Sequence, residues 1–428
     1  MEGRRMSDLT TLGAHAAARA IAAGELTAEA LVTACLERID ARDSDIGAWV
    51  HVDPDAALAQ ARARDAEPPR GPLHGVPVGV KDIIDTAGQP TERGSPIHAG
   101  RVPDRDAACV AGLRRAGAVV LGKTVTTEFA TSHPGGTANP HDLTRTPGGS
   151  SSGSAAAVAD GMVPLALGTQ TSGSIVRPAA FCGVFGLKPT LGAVPLGGVQ
   201  PLSPTLDTLG VLARDIDDLV MALPALGGAT VTAPLPTDPV RIGFSRTPLW
   251  ESMEDKAAER VLDVVEELER AGVVTERIGL PASFAGLVEA QLTIFAVESA
   301  QSLRREYEDH FDRLSEFLKG WLARGRATPR SEYLAALDHR ARVGQAVAPV
   351  WDVVDALLVP AVPGEAPVGL DHTGDPVFCR GWTTLGVPAV AVPGLSGPEG
   401  LPLGLQVVAP PGHDAVAVAA GAALRSLG

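Results

Sequence analysis

Residues 147–178 read Pro-Gly-Gly-Ser-Ser-Ser-Gly-Ser-Ala-Ala-Ala-Val-Ala-Asp-Gly-Met-Val-Pro-Leu-Ala-Leu-Gly-Thr-Gln-Thr-Ser-Gly-Ser-Ile-Val-Arg-Pro. The stretch consists of two Gly/Ser-rich turns separated by a short helical segment and a short strand-like segment. This arrangement places hydroxyl groups and free backbone N–H groups at two neighbouring turns. It is typical of a hydrolase site that contains neither histidine nor a metal ion.

Helical and strand-like segments alternate on both sides of this stretch. A helix with Thr27 as its N-cap is predicted early in the chain, and the apolar residues 76–80 predict a buried strand that ends at Lys81. Later apolar runs predict further short strands, whereas residues 282–345 are charged and helical in pattern. One large α/β layered domain over residues 1–428, with a helical elaboration at 282–345, accounts for this order.

The composition argues against several classes of protein. With 45% hydrophobic and 20% charged residues, the 428-residue chain is globular rather than disordered. Its net charge of −14 disfavours a nucleic acid partner, and no apolar run approaches the ~18 residues that cross a bilayer. The four cysteines lie far apart without a CxxC pair, so neither a zinc site nor a disulfide framework is indicated. We expect free thiols in a cytoplasmic protein that uses no metal and no cofactor.

Two short motifs match enzyme signatures but lack the surroundings that those signatures require. The stretch from Gly117 to Thr124 fits the phosphate-loop pattern GxxxxGK[ST], yet a helix precedes Gly117 and the strand lies inside the motif. Residues 149–153 fit the GxSxG nucleophile elbow, with Ser151 as nucleophile, but the polar stretch before them cannot be the buried strand that an elbow follows. A nucleotide-binding protein and a Ser-His-Asp hydrolase are therefore disfavoured alternatives.

Lys81 is a candidate base for a serine nucleophile. Only five of the 36 basic residues are lysines, and a lysine, unlike an arginine, can lose its proton. Lys81 ends an apolar strand and precedes Ile83 and Ile84, where desolvation would lower the pKa of its amine. A neutral amine could take a proton from a serine. The alternative is an ordinary salt bridge from Lys81 to Asp82 or Asp85.

An ordered set of motifs along the chain resembles the amidase signature family. The resemblance runs from about residue 7 to 425 and is weakest between 223 and 350. It implies one domain in which a Gly/Ser-rich signature core at about 71–215 forms part of a central mixed β-sheet covered by helices on both faces. The matching segments are Gly75-Val-Pro-Val-Gly-Val-Lys81-Asp82, Gly122-Lys-Thr124, Glu128-Phe-Ala130, 148–161, 168–190, Leu206-Asp207-Thr208-Leu-Gly210, 386–393 and 400–406.

The resemblance also implies a Ser-Ser-Lys triad. Ser174 would be the nucleophile and Lys81 the base. Ser150, following a cis peptide bond from Gly149, would relay the proton between them, and Ser151 would support this network through hydrogen bonds. The oxyanion hole would consist of the backbone N–H groups of Thr171, Ser172, Gly173 and Ser174.

The implied reaction is cleavage of a linear carboxylic amide to a carboxylate and ammonia or an amine through a Ser174 acyl-enzyme. The partner would be a small-molecule amide, with no nucleic acid and no membrane, and a homodimer is compatible with the sequence. The alternative within the family is the glutaminase (A) subunit of a transfer-RNA amidotransferase. That subunit usually has an Asn-Met pair where this chain has Val125-Thr126-Thr127, and this chain is shorter, which favours a free-standing amidase.

Three residues depart from the family pattern, and none of them is a triad member. Gln170 stands where many members have aspartate, and Ser172 and Ser152 each stand in place of a glycine. Ser172 has less backbone freedom than a glycine would have within the oxyanion strip, residues 171–174. The geometry of the N–H donors of this strip therefore depends on the turn conformation of Ser172. The substrate pocket is expected to include Phe129, Thr131, Ser132, Trp382 and Thr383.

Overall fold

One mixed β-sheet of eleven strands spans the part of the protein that the computed structural model describes, residues 9–227 and 235–425. The strands are β1 (Trp49–Val52), β2 (Pro77–Lys81), β3 (Val119–Thr124), β4 (Leu165–Gln170), β5 (Phe185–Lys188), β6 (Thr208–Ala213), β7 (Ile242–Phe244), β8 (Val274–Arg277), β9 (Ala356–Pro360), β10 (Ala389–Val392) and β11 (Leu405–Val408). They lie side by side in the order β1-β3-β2-β4-β6-β5-β10-β11-β9-β7-β8.

Parallel pairing around β2 positions the first functional residue. β2 pairs in parallel with β3 on one side and with β4 on the other, whereas β6 pairs antiparallel with both β4 and β5. All residues of β2, β3 and β4 are buried, which requires cover on both faces of the sheet. The predicted α/β domain with a mixed sheet is confirmed, as is the strand that ends at Lys81.

Fifteen α-helices accompany the sheet within the described residues. Thr27 accepts a hydrogen bond from the Ala30 N–H at 3.1 Å, which confirms the predicted N-cap. None of the helices in these ranges is both long enough and apolar enough to cross a membrane. The helices are α1 (Ala14–Ala22), α2 (Ala28–Ile46), α3 (Pro54–Asp65), α4 (Ala108–Arg115), α5 (Ser152–Ala159), α6 (Val176–Cys182), α7 (Ile216–Leu226), α8 (Asp255–Arg270), α9 (Leu287–Ser302), α10 (Arg304–Asp309), α11 (Glu316–Ala327), α12 (Arg330–Val347), α13 (Val350–Val353), α14 (Val377–Leu385) and α15 (Asp414–Ala423).

The charged region at 282–345 is helical in the structure and contributes α9 to the interior. α9 packs against α11, α12 and α14. Most of its residues from Leu287 to Ala300 are buried, and these include the polar residues Gln291 and Glu298. Since buried polar side chains are almost always hydrogen-bonded, these two residues indicate where α9 makes specific contacts with the core.

The segment from Gly117 to Thr124 does not form a phosphate loop. Gly117 follows α4 with a φ of 91°, and the rest of the motif lies in β3, which is paired on both sides, so its backbone N–H groups cannot wrap a phosphate. The Lys123 ammonium is buried and donates to the Ile84 carbonyl oxygen and to Thr91 Oγ1, at 2.6 Å each. The nucleotide-binding alternative is therefore wrong.

Helix α5 lies close to the backbone of neighbouring segments, and Gly153 permits this contact. A Cβ atom on Gly153 would overlap the Ala48 carbonyl oxygen and the Val125 backbone nitrogen. The Gly153 N–H also donates to the Val125 carbonyl oxygen at 3.1 Å. The close packing fixes the start of α5 and thereby the two serines that precede it.

Gly153→Ala is expected to lower the free energy of unfolding by about 1–3 kcal/mol, because overpacking displaces backbone that has no room to move. Gly320→Ala is the matched control, since Gly320 also lies inside a helix and nothing lies within 4 Å of its added Cβ. This control should be neutral or stabilising by up to about 1 kcal/mol. Urea unfolding measures both variants, and equal stability of the two would contradict the packing argument.

Candidate active site

The Lys81 side chain is fully buried and faces hydroxyl groups. Its Nζ lies 2.7 Å from Ser150 Oγ and 2.8 Å from Thr169 Oγ1, with the Thr169 carbonyl oxygen at 3.5 Å. Among the described residues, no carboxylate oxygen lies within 4.0 Å of the Lys81 Nζ, the distance limit for an ion pair. Asp82 instead faces Lys123 at 3.6 Å, and Asp85 binds Arg101 at 2.7 Å. The salt-bridge alternative for Lys81 is therefore wrong.

Burial holds the pKa of Lys81 well below its usual value of 10.5. The largest cause is desolvation of the ammonium form; the Asp207 carboxylate opposes the shift, and the Arg177 guanidinium adds to it. Hydroxyl groups can donate to a neutral amine as well as accept from one. The surroundings of Lys81 therefore suit an amine that is neutral near pH 7.

Ser150 lies in the first Gly/Ser turn, after a cis peptide bond from Gly149, and it is fully buried. Arg177 fixes this turn, because its Nε and Nη2 donate to the Gly149 carbonyl oxygen at 3.2 and 2.5 Å. The Ser151 N–H donates to the Ser174 carbonyl oxygen at 3.3 Å, which joins the first turn directly to the second. Ser151 Oγ also contacts the backbone N–H and the carbonyl oxygen of Thr169, both at 3.3 Å.

Ser174 lies in the second turn, residues 171–174, which connects β4 to α6. All four carbonyl oxygens of this strip accept hydrogen bonds. Thr171 accepts from Gln291 Nε2 at 3.1 Å and Ser172 from Thr383 Oγ1 at 2.6 Å, while Gly173 and Ser174 accept from the backbone N–H groups of Arg177 and Ser151 at 2.9 and 3.3 Å. By contrast, none of the four N–H groups of the strip has a hydrogen-bond acceptor among the residues that the structure describes. The strip is thus held from its carbonyl side while its donors remain available.

Gln170, one of the departures from the family pattern, holds both ends of this strip. Its Oε1 accepts from the N–H groups of Ile175 and Val176 at 2.8 and 2.9 Å. Its Nε2 donates to Thr383 Oγ1 at 2.9 Å and to the Ser172 carbonyl oxygen at 3.3 Å. An aspartate could accept but could not donate. Ser172 has no left-handed φ, so its Cβ imposes no backbone strain there.

A cavity of about 530 Å³ opens at the strip. Its lining includes Thr131 and Ser132 of the expected pocket, together with Thr171, Ser172 and Ser174. Further lining comes from Phe295, Phe317 and Trp321 of the helical region, from residues 371–376, and from Arg177 and Arg380.

Three residues expected in the substrate pocket do not line this cavity: Phe129, Trp382 and Thr383. All three are buried. The Phe129 ring packs edge-on against His98, with ring centroids 5.6 Å apart, and Trp382 packs against Phe284 at 4.7 Å. The Thr383 hydroxyl donates to the Ser172 carbonyl oxygen of the strip. Of the five expected pocket residues, only Thr131 and Ser132 line the cavity, and Trp382 and Thr383 lie on helix α14 rather than in a turn.

The sequence reasoning missed Thr169, Gln291 and Arg380. Thr169 lies within the Gly/Ser stretch, and its place at the end of β4, beside the end of β2, is a signal that could have identified it. Gln291 and Arg380 lie on α9 and α14, where no motif marks them. Among the described residues, no group of three or more His, Cys, Asp or Glu side chains could hold a metal ion.

Lys81→Met should stabilise the protein relative to the wild type by an amount that depends on pH. Between the lowered pKa of the folded state and 10.5, the unfolded chain binds a proton that the folded chain lacks, so wild-type stability falls as the pH is lowered. The stability difference in favour of the variant should grow by about 1.4 kcal/mol per pH unit from pH 10 to pH 8. Urea unfolding at both pH values measures it; a difference that does not change with pH would mean that Lys81 is charged in the folded protein.

The comparisons with known proteins agree with this geometry. The Amidase family model matches residues 30–418. The A subunit of the glutamyl-tRNA(Gln) amidotransferase of Chloroflexus aggregans is 36% identical to this chain, over 98% of this chain and 97% of its own length. A crystal structure of an amidase has 30% identity and a TM-score of 0.88, covering 97% of this chain and 99% of the other. The peptide amidase of Stenotrophomonas maltophilia has 32% identity and a TM-score of 0.82, covering 96% of each chain. The chain therefore belongs to the amidase family, whose members are enzymes that hydrolyse the carbon–nitrogen bonds of amides.

Proposed function

We propose that this amidase cleaves a linear carboxylic amide to a carboxylate and ammonia or an amine, through an acyl-enzyme on Ser174. The observation that carries the proposal is the 2.7 Å contact between the buried Lys81 amine and Ser150 Oγ, in a site where no described carboxylate forms an ion pair with the amine. Serine is too weak an acid to attack an amide unaided, so it needs a base within reach. A neutral lysine supplies one without histidine.

Ser150 serves as the proton relay between Lys81 and Ser174. It is fully buried, which keeps bulk water from competing for the proton. The Ser151 N–H, which donates to the Ser174 carbonyl oxygen, fixes the relay turn against the nucleophile turn. Ser174 is only slightly exposed, at 6%, and it lines the cavity. The nucleophile can therefore reach a bound amide, whereas the base cannot touch the substrate directly.

The strip of residues 171–174 stabilises the oxyanion. Its N–H groups have no acceptor among the described residues, and the contacts to its carbonyl oxygens from Gln291 and Thr383 fix their direction before substrate binds. Donors that are already oriented need no rearrangement when negative charge develops on the carbonyl oxygen. Removal of one such donor typically costs about 10²–10³ in kcat.

The reaction proceeds in two halves. Ser174 Oγ attacks the amide carbon while its proton passes through Ser150 to Lys81, which becomes an ammonium group. The same path returns the proton to the leaving nitrogen, and the carbon–nitrogen bond breaks to leave the acyl group on Ser174. Water then attacks the acyl-enzyme and gives its proton to the relay, which releases the carboxylate and restores Ser174 and the neutral Lys81.

The second candidate is the glutaminase role of an amidotransferase A subunit. It is favoured by the 36% identity to a protein of that name over nearly the full length of both chains. The two candidates share the Ser174 chemistry and differ in the substrate. L-glutamine separates them, because an A subunit should prefer it to other small primary amides.

Ammonia release from a panel of small primary amides, including L-glutamine, tests the proposal. The wild type should hydrolyse at least one member, and Ser174→Ala should lower kcat/KM for it on the order of 10⁴-fold or more. Ser331→Ala is the control, since Ser331 is exposed on α12 and should leave the rate unchanged. Full activity in Ser174→Ala would rule out Ser174 as the nucleophile.

A further inference from the structure

The cavity at the strip contains two arginines whose surroundings differ. Arg177 is fully engaged by the backbone, since its Nε and Nη2 donate to the Gly149 carbonyl oxygen and its Nη1 donates to that of Gly374 at 2.6 Å. Its role in the turn is structural. Arg177 therefore has each of its three nitrogens committed to the protein, even though part of its side chain lines the cavity.

Arg380 uses only one nitrogen of its guanidinium in contacts with the protein. Its Nη1 donates to Gln291 Oε1 at 2.6 Å and lies 3.5 Å from Ser172 Oγ. Its Nε and Nη2 have no acceptor in the part of the chain that the structure describes, and no carboxylate there lies within 4.0 Å of this guanidinium. A half-buried cation with free donors thus faces the cavity.

Among the described residues, no acidic residue of the cavity forms an ion pair with Arg380, although the Asp375 carboxylate opposes the lowering of the Arg380 pKa that burial causes. Asp371 and Asp375 are both solvent-exposed, so water screens their charge. Neither accepts a hydrogen bond from any described residue. The inner end of the cavity, beside Ser172, therefore carries a positive charge that no described carboxylate pairs.

Gln291 holds Arg380 at a fixed place relative to the oxyanion strip. Its Nε2 donates to the Thr171 carbonyl oxygen and, at 2.7 Å, to Ser172 Oγ, while its Oε1 accepts from Arg380. The guanidinium is thus anchored to the same strip that carries Ser174. A group bound by Arg380 must lie only a few bonds from the carbonyl that Ser174 attacks.

We propose that Arg380 selects an amide that carries a carboxylate within a few bonds of the scissile carbonyl. A carboxylate matches the two free donors of the guanidinium, because Arg and carboxylate pair through parallel N–H···O bonds. In a primary amide the leaving group is ammonia, so the carboxylate belongs to the acyl part. The substrate class is then the short monoamides of dicarboxylic acids. This inference rests on the proposed function, of which it specifies the substrate.

Paired substrates test the selection by Arg380. The monoamides of dicarboxylic acids with one to four methylene groups are each compared with the corresponding neutral diamide. In the wild type, kcat/KM should be at least about 10-fold higher for the best monoamide than for its diamide. Arg380→Met should lower the monoamide value roughly 10- to 100-fold, as expected for the loss of charge-assisted hydrogen bonds, and change the diamide value less than about threefold.

Two further variants separate recognition from general damage. Arg380→Lys keeps the charge but loses the fork, so it should restore part of the preference for the monoamide. Arg105→Met makes the same chemical change as Arg380→Met at an exposed position without described contacts and should alter neither value. Equal loss on both substrates in Arg380→Met would show that Arg380 only supports the strip, and would overturn the proposal.

A binding measurement keeps the test independent of turnover. Titration calorimetry compares the dicarboxylates with their neutral diamides on the wild type and on Arg380→Met. Tighter binding of a dicarboxylate that is lost in Arg380→Met supports the inference even if no amide in the panel is hydrolysed, in which case only the proposed function fails. Equal binding of charged and neutral ligands overturns the inference even if amides are hydrolysed.

Discussion

The contact of the buried Lys81 amine with two hydroxyl groups is the interaction on which the rest of the site depends. β2 pairs in parallel with β4, so the ends of these strands lie together and bring Lys81 to Thr169. The hydrogen bond from the Ser151 N–H to the Ser174 carbonyl oxygen holds the turn after β4 beside the turn that carries Ser150. A charged lysine would need a carboxylate partner at this depth, and among the described residues none lies within the 4.0 Å of an ion pair with the Lys81 amine. The sheet therefore positions a base rather than an ion pair.

Lys123 provides the comparison within the same sheet. It lies on the neighbouring strand β3 and is equally buried, but Asp82 lies 3.6 Å from its Nζ. Burial lowers its pKa only to about 8, because Asp82 and Asp85 favour the ammonium form. Two lysines on adjacent strands thus differ in whether a carboxylate faces them. Lys81 contacts hydroxyl groups at the cavity end of its strand. Lys123 instead donates hydrogen bonds to Ile84 and Thr91 and thereby stabilises the loop that contains them.

The sequence predicted those parts of the site that local pattern determines. An apolar run ending in lysine predicted the strand and made Lys81 a candidate base. The Gly/Ser turns predicted hydroxyl groups at two neighbouring turns, whereas the roles of Ser150 and Ser174 came from the resemblance to the amidase signature family. The sequence could not predict that Gln291 and Arg380 reach the strip, because their contacts depend on how α9 and α14 pack against the core. It also could not predict that Phe129 and Trp382, expected in the substrate pocket, do not line the cavity. Large aromatic side chains gain most by burial, and here they pack behind the cavity instead of lining it.

The pH dependence of kcat/KM tests the neutral Lys81 base most directly. The account predicts a single acidic limb with an apparent pKa well below 10.5, and a plateau above it. Asp207 favours the charged form of Lys81, so Asp207→Asn should move the limb to lower pH. The pKa of Asp207 is itself raised to about 6, so a limb that disappears in this variant would belong to Asp207. Either that result, or activity that rises only as the pH approaches 10.5, would contradict the account.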